Sequence, residues 1–210
     1  MSEPVVVLVP GERWARWSEN FASRHGAPTL SVDGGALVGV AADGSRFAAR
    51  LPFGGRYDGA ADGAGLVAAI ARPEHWGVLL VRRGGFAIAR LEGARIVASK
   101  VGQRHVQGRT KAGGQSQQRF ARRRDNQARA AFEAAAEHAV TVLGRGGAGV
   151  PELPVVTGGD RAAVADVLDD TRLSHLRPGG HWFAVPDPRR AVLDGVVEQS
   201  VHLVVQLENA

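Results

Sequence analysis

The sequence predicts an α/β fold in which helices flank a mixed β-sheet. Short apolar runs of strand length recur along the chain, and segments with a helical period separate several of them. Three strands follow one another closely between residues 77 and 102, with Arg83-Gly84 and Glu92-Gly93 as the turns between them. Beyond this meander, strands and helices alternate, and a meander combined with such alternation favours a mixed sheet.

The first third of the chain predicts a strand, a helix and a set of hairpins. The run Val5 to Val9 is apolar and of strand length. A helix is predicted from Glu12 to Arg24, where Trp14, Trp17 and Phe21 share one side. Trp14, Trp17 and Trp76 are predicted to be core. Between residues 29 and 53, short apolar runs alternate with glycine-containing turns, which indicates hairpins.

The remaining elements are predicted from period and turn residues in the same way. A short helix is expected from Asp62 to Ala71, and a long helix from Ser116 to about Leu143. Asp160 has the residue type and position of a helix N-cap. The later elements are a strand at Leu153 to Thr157, a helix at Asp160 to Asp169, a strand at His181 to Val185, a helix at Asp187 to Val197 and a strand at Ser200 to Leu207. We expect one domain over residues 1–210, with an exposed loop at 103–116 and a glycine linker at 144–151.

Positive charge is concentrated in one segment. Between Lys100 and Arg129 there are nine lysines or arginines and one acid, a local net charge of +8 in a chain whose total is +5. The other residues therefore sum to −3, and one segment carries the whole basic character. Such a concentration indicates an anion-binding element rather than an evenly charged surface.

The tripeptide Gly113-Gly114-Gln115 lies at the tip of this basic segment, directly before the helix predicted from Ser116. Glycines adopt positive φ and lack Cβ, so the main chain can approach a substrate closely. The first amides of a helix lack partners within it, and the N–H of Gln115 is suited to stabilise a developing oxyanion. The Gln115 side chain is neutral at physiological pH. It can orient water or exclude other nucleophiles, but it cannot act as a general base.

The run GGQSQQRFARRR, residues 113–124, closely resembles the catalytic loop and following helix in the middle domain of eukaryotic and archaeal class I translation release factors. It also resembles their single-domain relatives, the Vms-like release factor family (VLRF) of peptidyl-tRNA hydrolases. The specific likeness covers roughly residues 105 to 125. The resemblance implies a release-factor middle-domain fold, which is ribonuclease H-like, with a long helix after the catalytic loop.

The resemblance also implies a function. In release factors this loop enters the peptidyl transferase centre and promotes attack of water on the ester of peptidyl-tRNA. The implied activity is ribosome-dependent release of nascent chains from stalled large ribosomal subunits, with Gly113, Gly114 and Gln115 as the catalytic tip. The implied partners are the large subunit, peptidyl-tRNA and ribosomal RNA. Phosphate contacts are assigned to Arg104, Arg109, Lys111, Arg119, Arg122 and Arg123.

Three alternatives remain open from the sequence. Residues 114–117 also fit a looser G-x-x-Q pattern, which makes Gln117 an alternative catalytic glutamine. A non-catalytic module that binds the ribosome or RNA would keep the fold without the chemistry. A free-standing nuclease would need clustered acidic metal ligands, and Asp166, Asp169 and Asp170 are more simply a solvated helix face.

Composition excludes several other classes of protein. The chain has no cysteine, so it has neither disulfides nor thiolate metal sites, and its seven histidines show no metal-binding spacing. We therefore predict no metal and no cofactor. Gly144-x-Gly146-x-x-Gly149 formally matches a dinucleotide fingerprint but follows a helix and precedes Pro151, which is the wrong context. Neither a signal peptide nor an apolar run of membrane-spanning length is visible, so we expect a cytoplasmic protein without a membrane partner.

Overall fold

The computed structural model describes residues 4–103 and 132–210. Its contacts divide the chain into two compact units. The first unit runs up to Arg72 and takes in Val197–Ala210, and the second unit runs from Pro73 to Val196. The single catalytic domain expected over residues 1–210 stays a prediction.

Ten strands and five α-helices lie in the described residues. The strands are β1 (Val5–Val9), β2 (Thr29–Asp33), β3 (Ala36–Val40), β4 (Arg46–Arg50), β5 (His75–Arg82), β6 (Gly85–Glu92), β7 (Arg95–Gln103), β8 (Leu153–Gly159), β9 (Leu176–Pro178) and β10 (Leu203–Glu208). The helices are α1 (Trp14–His25), α2 (Gly63–Ala68), α3 (132–143), α4 (Arg161–Leu168) and α5 (Arg190–Gln199).

The first unit is built on an antiparallel sheet of order β1-β10-β4-β3-β2. Helix α1 brings Trp14, Trp17 and Phe21 onto one side, and all three rings meet Phe47 of β4 edge-on, with centroids 5.8, 5.2 and 5.0 Å away. Trp14, Phe21 and Phe47 are buried. The helical spacing of these aromatics therefore positions α1 on the sheet, and the predicted core role of Trp14 and Trp17 is confirmed.

The second unit is built on a mixed sheet of order β7-β6-β5-β8-β9. Strands β5, β6 and β7 form the predicted antiparallel meander, while β8 pairs in parallel with both β5 and β9. Strand β5 is central, and its residues from Trp76 to Val81 are all buried. The indole Nε1 of Trp76 donates to the carbonyl of Gly93 over 2.8 Å. The predicted fold class, an α/β fold with a mixed sheet flanked by helices, is confirmed.

The strand predicted from His181 to Val185 is wrong. Here the chain forms only an isolated bridge between Gly158 and Phe183, and the short parallel strand next to β8 is Leu176–Pro178. Phe183 and Val185 are both buried, which produced the alternating pattern. The N–H of Val185, however, donates to the carbonyl of Phe183 over 2.9 Å. That i to i+2 bond turns the main chain away from β8 after one residue of pairing.

Candidate functional site

The residues predicted for catalysis and RNA binding lie outside the described part of the chain. They are Gly113, Gly114, Gln115, the alternative Gln117, Arg104, Arg109, Lys111, Arg119, Arg122 and Arg123. The structure describes the two elements that flank this segment, strand β7 on one side and helix α3 on the other. We call β7 and α3 the anchors of the candidate site. The structure describes these anchors and the residues around them.

Strand β7 delivers the chain to one end of the mixed sheet. It runs antiparallel to β6, with Gly85 opposite Gln103 and Phe86 opposite Gly102. The ring of Phe86 lies so close to Gly102 that a Cβ at that position would collide with it. Because β7 and β5 both run antiparallel to β6, their carboxyl ends lie at the same end of the sheet. Residue 104 therefore follows directly from the end of the sheet where β5 and β8 also finish.

Helix α3 is fixed by its apolar face. Ala135, Ala139, Val142 and Leu143 are buried in the same cluster as β5 and β6 residues, whereas Glu133 and Glu137 are exposed. A division into an apolar and a polar face is what a period of 3.6 residues produces over residues 132–143. The predicted end at Leu143 is confirmed.

Glycines close the carboxyl end of α3. Gly144 has φ +94° and donates its N–H to Val140 over 3.1 Å, a helix cap that requires the left-handed region. His175 is buried, and its Nε2 lies 3.3 Å from the carbonyl oxygen of Leu143, so it caps the last turn from the side. The N–H of Gly146 donates to the carbonyl of Arg172 over 2.6 Å. The predicted linker at 144–151 thus connects α3 to β8 along a fixed path.

An ion-pair network ties α3 to the segment after α4. The guanidinium of Arg172 donates to Asp170 Oδ2 over 2.6 Å and to Glu137 Oε1 over 2.7 Å, and Glu137 lies on α3. Hydrogen bonds from Arg172 hold the pKa of Asp170 at about 2, below its ordinary 3.8, and they also lower the pKa of Glu137. Sequence reasoning missed this pairing, because the two partners are far apart in the chain and no local pattern joins them.

An open groove of about 560 Å³ lies between α3 and α4. Its lining residues are Phe132, Glu133, Ala136, Glu137, Asp166, Asp169, Asp170 and Arg172. The three aspartates considered for a nuclease do line one groove, but Asp170 is already engaged by Arg172. Among residues 4–103 and 132–210, no group of three or more His, Asp or Glu side chains is arranged to hold a metal ion.

Replacing Asp170 with asparagine is expected to reduce stability in a pH-dependent way. Asparagine keeps an acceptor for the main-chain N–H of Arg172 but removes the charge. Because the folded-state pKa of Asp170 is depressed to about 2, its ionised form stabilises the fold above about pH 4, and that contribution is lost as the pH falls towards 2. The urea midpoint of Asp170→Asn should be below that of the wild type at pH 7, and the difference should shrink between about pH 4 and pH 2.

The neighbouring Asp169 provides the control for this prediction. It is exposed, and no described ion pair involves it. Asp169→Asn should therefore leave the urea midpoint close to that of the wild type at pH 7 and at pH 2.5. An Asp170→Asn deficit that is the same at pH 7 and at pH 2.5 would contradict the role given to the carboxylate.

The Gly158-Gly159-Asp160 corner connects β8 to α4. Asp160 caps the helix as predicted, since its Oδ1 accepts from the N–H groups of Ala162 and Ala163 over 3.0 and 3.3 Å. Two main-chain amides in the first turn of α4 therefore have a hydrogen-bond acceptor within the protein. Next to this corner the guanidinium of Arg161 lies over the Trp182 ring, 4.4 Å from its centroid. Sequence reasoning did not pair these two residues.

Comparison with known proteins supports one family. The family model described as Actinobacteria/chloroflexi VLRF1 release factor matches residues 74–206, which is more than half of the chain. The match includes nearly all of the second unit, the basic segment and its Gly113-Gly114-Gln115 tip. No curated protein matches the chain. Within residues 4–103 and 132–210, no helix is both long and apolar enough to cross a membrane.

Proposed function

This chain belongs to the Actinobacteria/chloroflexi VLRF1 release factor family, and on that premise we propose that it is a ribosome-dependent peptidyl-tRNA hydrolase. It would release nascent chains from stalled large ribosomal subunits in the cytoplasm. The observation that carries the proposal is the family match over residues 74–206, combined with the intact Gly113-Gly114-Gln115 at the tip of the basic segment. A chain that only bound the ribosome would have no need of that tip.

The proposed reaction is hydrolysis of an ester. The oxygen of water attacks the carbonyl carbon that joins the peptide to the terminal tRNA ribose. The bond from that carbon to the ribose oxygen breaks, and the ribose oxygen takes up a proton. Negative charge develops on the carbonyl oxygen, and the main-chain N–H of Gln115 is the donor assigned to it, a contact worth about 3–4 kcal/mol in acyl transfer. The Gln115 side chain orients the water and excludes other nucleophiles.

The assigned arginines and Lys111 would deliver this tip by contacting phosphates. Arg104, Arg109, Lys111, Arg119, Arg122 and Arg123 belong to the segment of local net charge +8. Contacts between such side chains and RNA phosphates release counterions and give a salt-dependent affinity. The anchors support this assignment, because β7 is paired along its length with β6 and α3 is fixed by its buried face and by Arg172. The proposed partners are therefore the large subunit, its ribosomal RNA and peptidyl-tRNA.

The deciding experiment uses purified large subunits that carry labelled peptidyl-tRNA. Wild-type protein is added, free peptide is separated from peptidyl-tRNA on a gel, and the release rate is measured. Puromycin in a parallel sample shows that the bound peptidyl-tRNA is competent. We expect protein-dependent release on subunits and none on free peptidyl-tRNA. Binding to the subunits without release would instead identify the non-catalytic ribosome- or RNA-binding module and reject the hydrolase.

A further inference from the structure

Three strands of the mixed sheet finish at the same end, and their last residues are close neighbours. Arg82 ends β5, Gln103 ends β7 and Gly159 ends β8. In the strand register, Arg82 lies opposite Gly85, which lies opposite Gln103, so two strand spacings, about 10 Å, separate Arg82 from Gln103. Gly159 lies beside Val81 on the other side of β5. We call this the carboxyl end of the sheet.

We propose that the carboxyl end of the sheet is a second RNA-contacting surface, formed by Arg83 and by Arg161 stacked on Trp182, beside the point where β7 leads into residue 104. The inference rests on the proposed function for the choice of RNA as the partner. It goes beyond that function, because these residues lie outside the basic segment to which RNA binding is assigned.

The stack of Arg161 on Trp182 is the first support. Trp182 is half-buried and packs against the core of the second unit, so its indole is a fixed support. The exposed Arg161 guanidinium lies 4.4 Å from the ring centroid, in cation–π contact. A guanidinium held in this way loses less conformational freedom on binding RNA than a freely rotating one would. Its outer face and its N–H groups remain available for contacts with RNA. Guanidinium planes stack on unpaired RNA bases and donate to phosphates.

The charges at this end of the sheet are the second support. Arg82 and Arg83 are exposed, and Arg82 donates through Nη1 to the carbonyl of Val185 over 2.8 Å, which holds the segment that carries Trp182. Within the described residues, no carboxylate lies at ion-pair distance from Arg82, Arg83 or Arg161. At the opposite end of the same sheet, by contrast, Arg95 is paired with Glu92 over 2.6 Å.

Two acids also belong to the carboxyl end of the sheet, and neither neutralises its arginines. Asp160 accepts from two amides of α4 and acts as the helix cap. Asp187 lies next to Gly84 at the β5–β6 turn, and no described ion pair involves it. The formal balance with Arg82, Arg83 and Arg161 is therefore positive, and the next residue along the chain from Gln103 is Arg104. An RNA strand bound here would lie beside the end of β7, where the chain continues into Arg104, and would help to position the basic segment.

The test compares the double variant Arg83→Ala/Arg161→Ala with the wild type in the full chain. Binding is measured against an RNA hairpin with the tRNA acceptor-stem sequence, against vacant large subunits and against subunits that carry peptidyl-tRNA. We expect the double variant to bind about 10-fold more weakly near 0.15 M salt, with the slope of log K against log salt reduced by about 1 to 2. Arg161→Lys should keep the salt slope of the wild type and still lose affinity, because lysine cannot provide a stacking plane.

The matched control is Arg46→Ala/Arg95→Ala, which removes the same charge from two exposed arginines that are already ion-paired. Thermal midpoints of all the variants should match the wild type, which excludes unfolding as the cause. Loss of binding on the hairpin assigns the contact to tRNA, and loss on vacant subunits assigns it to ribosomal RNA. Equal binding of the double variant and the control on every target overturns the inference. A loss on vacant subunits that is absent with deproteinised ribosomal RNA overturns it too, because the partner is then a protein.

The same samples separate this inference from the proposed function. If the wild-type protein binds these targets but releases no peptide, the proposed hydrolase activity is rejected and the binding comparison remains valid. If the wild-type protein releases peptide and the double variant binds as well as the control, only the proposal of a second RNA-contacting surface is rejected. Release measured below saturation should slow in Arg83→Ala/Arg161→Ala in proportion to its weaker binding, whereas Arg46→Ala/Arg95→Ala should release peptide at the wild-type rate.

Discussion

Replacing Gln115 with alanine is expected to reduce peptide release by about 100-fold, because the side-chain amide that orients the attacking water is lost and misplaced reactants cost a factor of about this size. Alanine keeps the main-chain N–H, so this variant removes only the side-chain amide. Binding to large subunits should be unchanged, because the assigned phosphate contacts belong to arginines and a lysine. The measurement is single-turnover release from subunits carrying labelled peptidyl-tRNA, with binding measured on the same preparation.

Gln117→Ala is the matched control, since it makes the same chemical change two residues along the chain. It should release peptide at close to the wild-type rate. If Gln117→Ala is inactive and Gln115→Ala is active, the catalytic role belongs to Gln117 and the looser G-x-x-Q pattern is the correct one. If both variants release peptide normally, neither glutamine supplies the chemistry and the proposed mechanism fails.

Replacing Gly159 with alanine should destabilise the second unit by about 3 kcal/mol. Gly159 has φ +102°, where an L-residue is strained, and a Cβ there would overlap the main-chain carbonyl oxygen of Val81. That carbonyl accepts the N–H of Asp160 over 2.8 Å, so the main chain cannot move away without losing a bond at the start of α4. The measurement is urea unfolding, followed by fluorescence and by circular dichroism so that separate transitions are recognised.

Gly195→Ala provides the comparison for this prediction. Gly195 lies within α5, and a Cβ added there meets nothing within 4 Å. Alanine should stabilise the helix by about 0.5–1 kcal/mol, because glycine is the poorer helix former. If Gly159→Ala unfolds at the same urea concentration as the wild type, β8 does not approach Val81 as closely as the structure shows.

Local signals in the sequence predicted much of the second unit. Strand β6 runs from Gly85 to Glu92, between the two turns predicted at Arg83-Gly84 and Glu92-Gly93. The end of α3 at Leu143 follows from its apolar period and from the glycine after it. The Asp160 cap depends only on a side chain and the amides two and three residues later. In each case the physical cause lies within a few residues of its effect.

Long-range pairing could not be predicted in this way. Strand β1 pairs with β10 at the other end of the chain, with Val5 opposite Leu207, and together with β2, β3 and β4 they form a separate antiparallel sheet. Nothing in either apolar run specifies its partner. The Arg172 pair with Glu137 and the stack of Arg161 on Trp182 are equally non-local. The turn at Phe183 was missed for a similar reason. Side-chain burial alternates near Phe183 as it does in a strand, whereas the main-chain hydrogen bonds do not continue the pairing of a strand.

The candidate site was predicted on different grounds. Charge concentration indicated an anion-binding segment, and glycine conformational freedom indicated a close main-chain approach. Neither observation identifies an ester of tRNA as the substrate. The likeness of residues 113–124 to release factors supplied that step, and the family match over residues 74–206 supports it at the level of the family. The roles of Gln115 and of the six basic residues stay predictions.

The chain leaves the mixed sheet at the edge strand β7 and re-enters it at β8, with β6 and β5 between the two strands. A connection of this kind is closed by the pairing of β8 with β5, whatever its contour length. Doubling a flexible connection costs only about 0.6 kcal/mol in closure entropy. Insertions or deletions between residues 103 and 132 should therefore cost little folding free energy, because β7 and α3 are each held by contacts of their own.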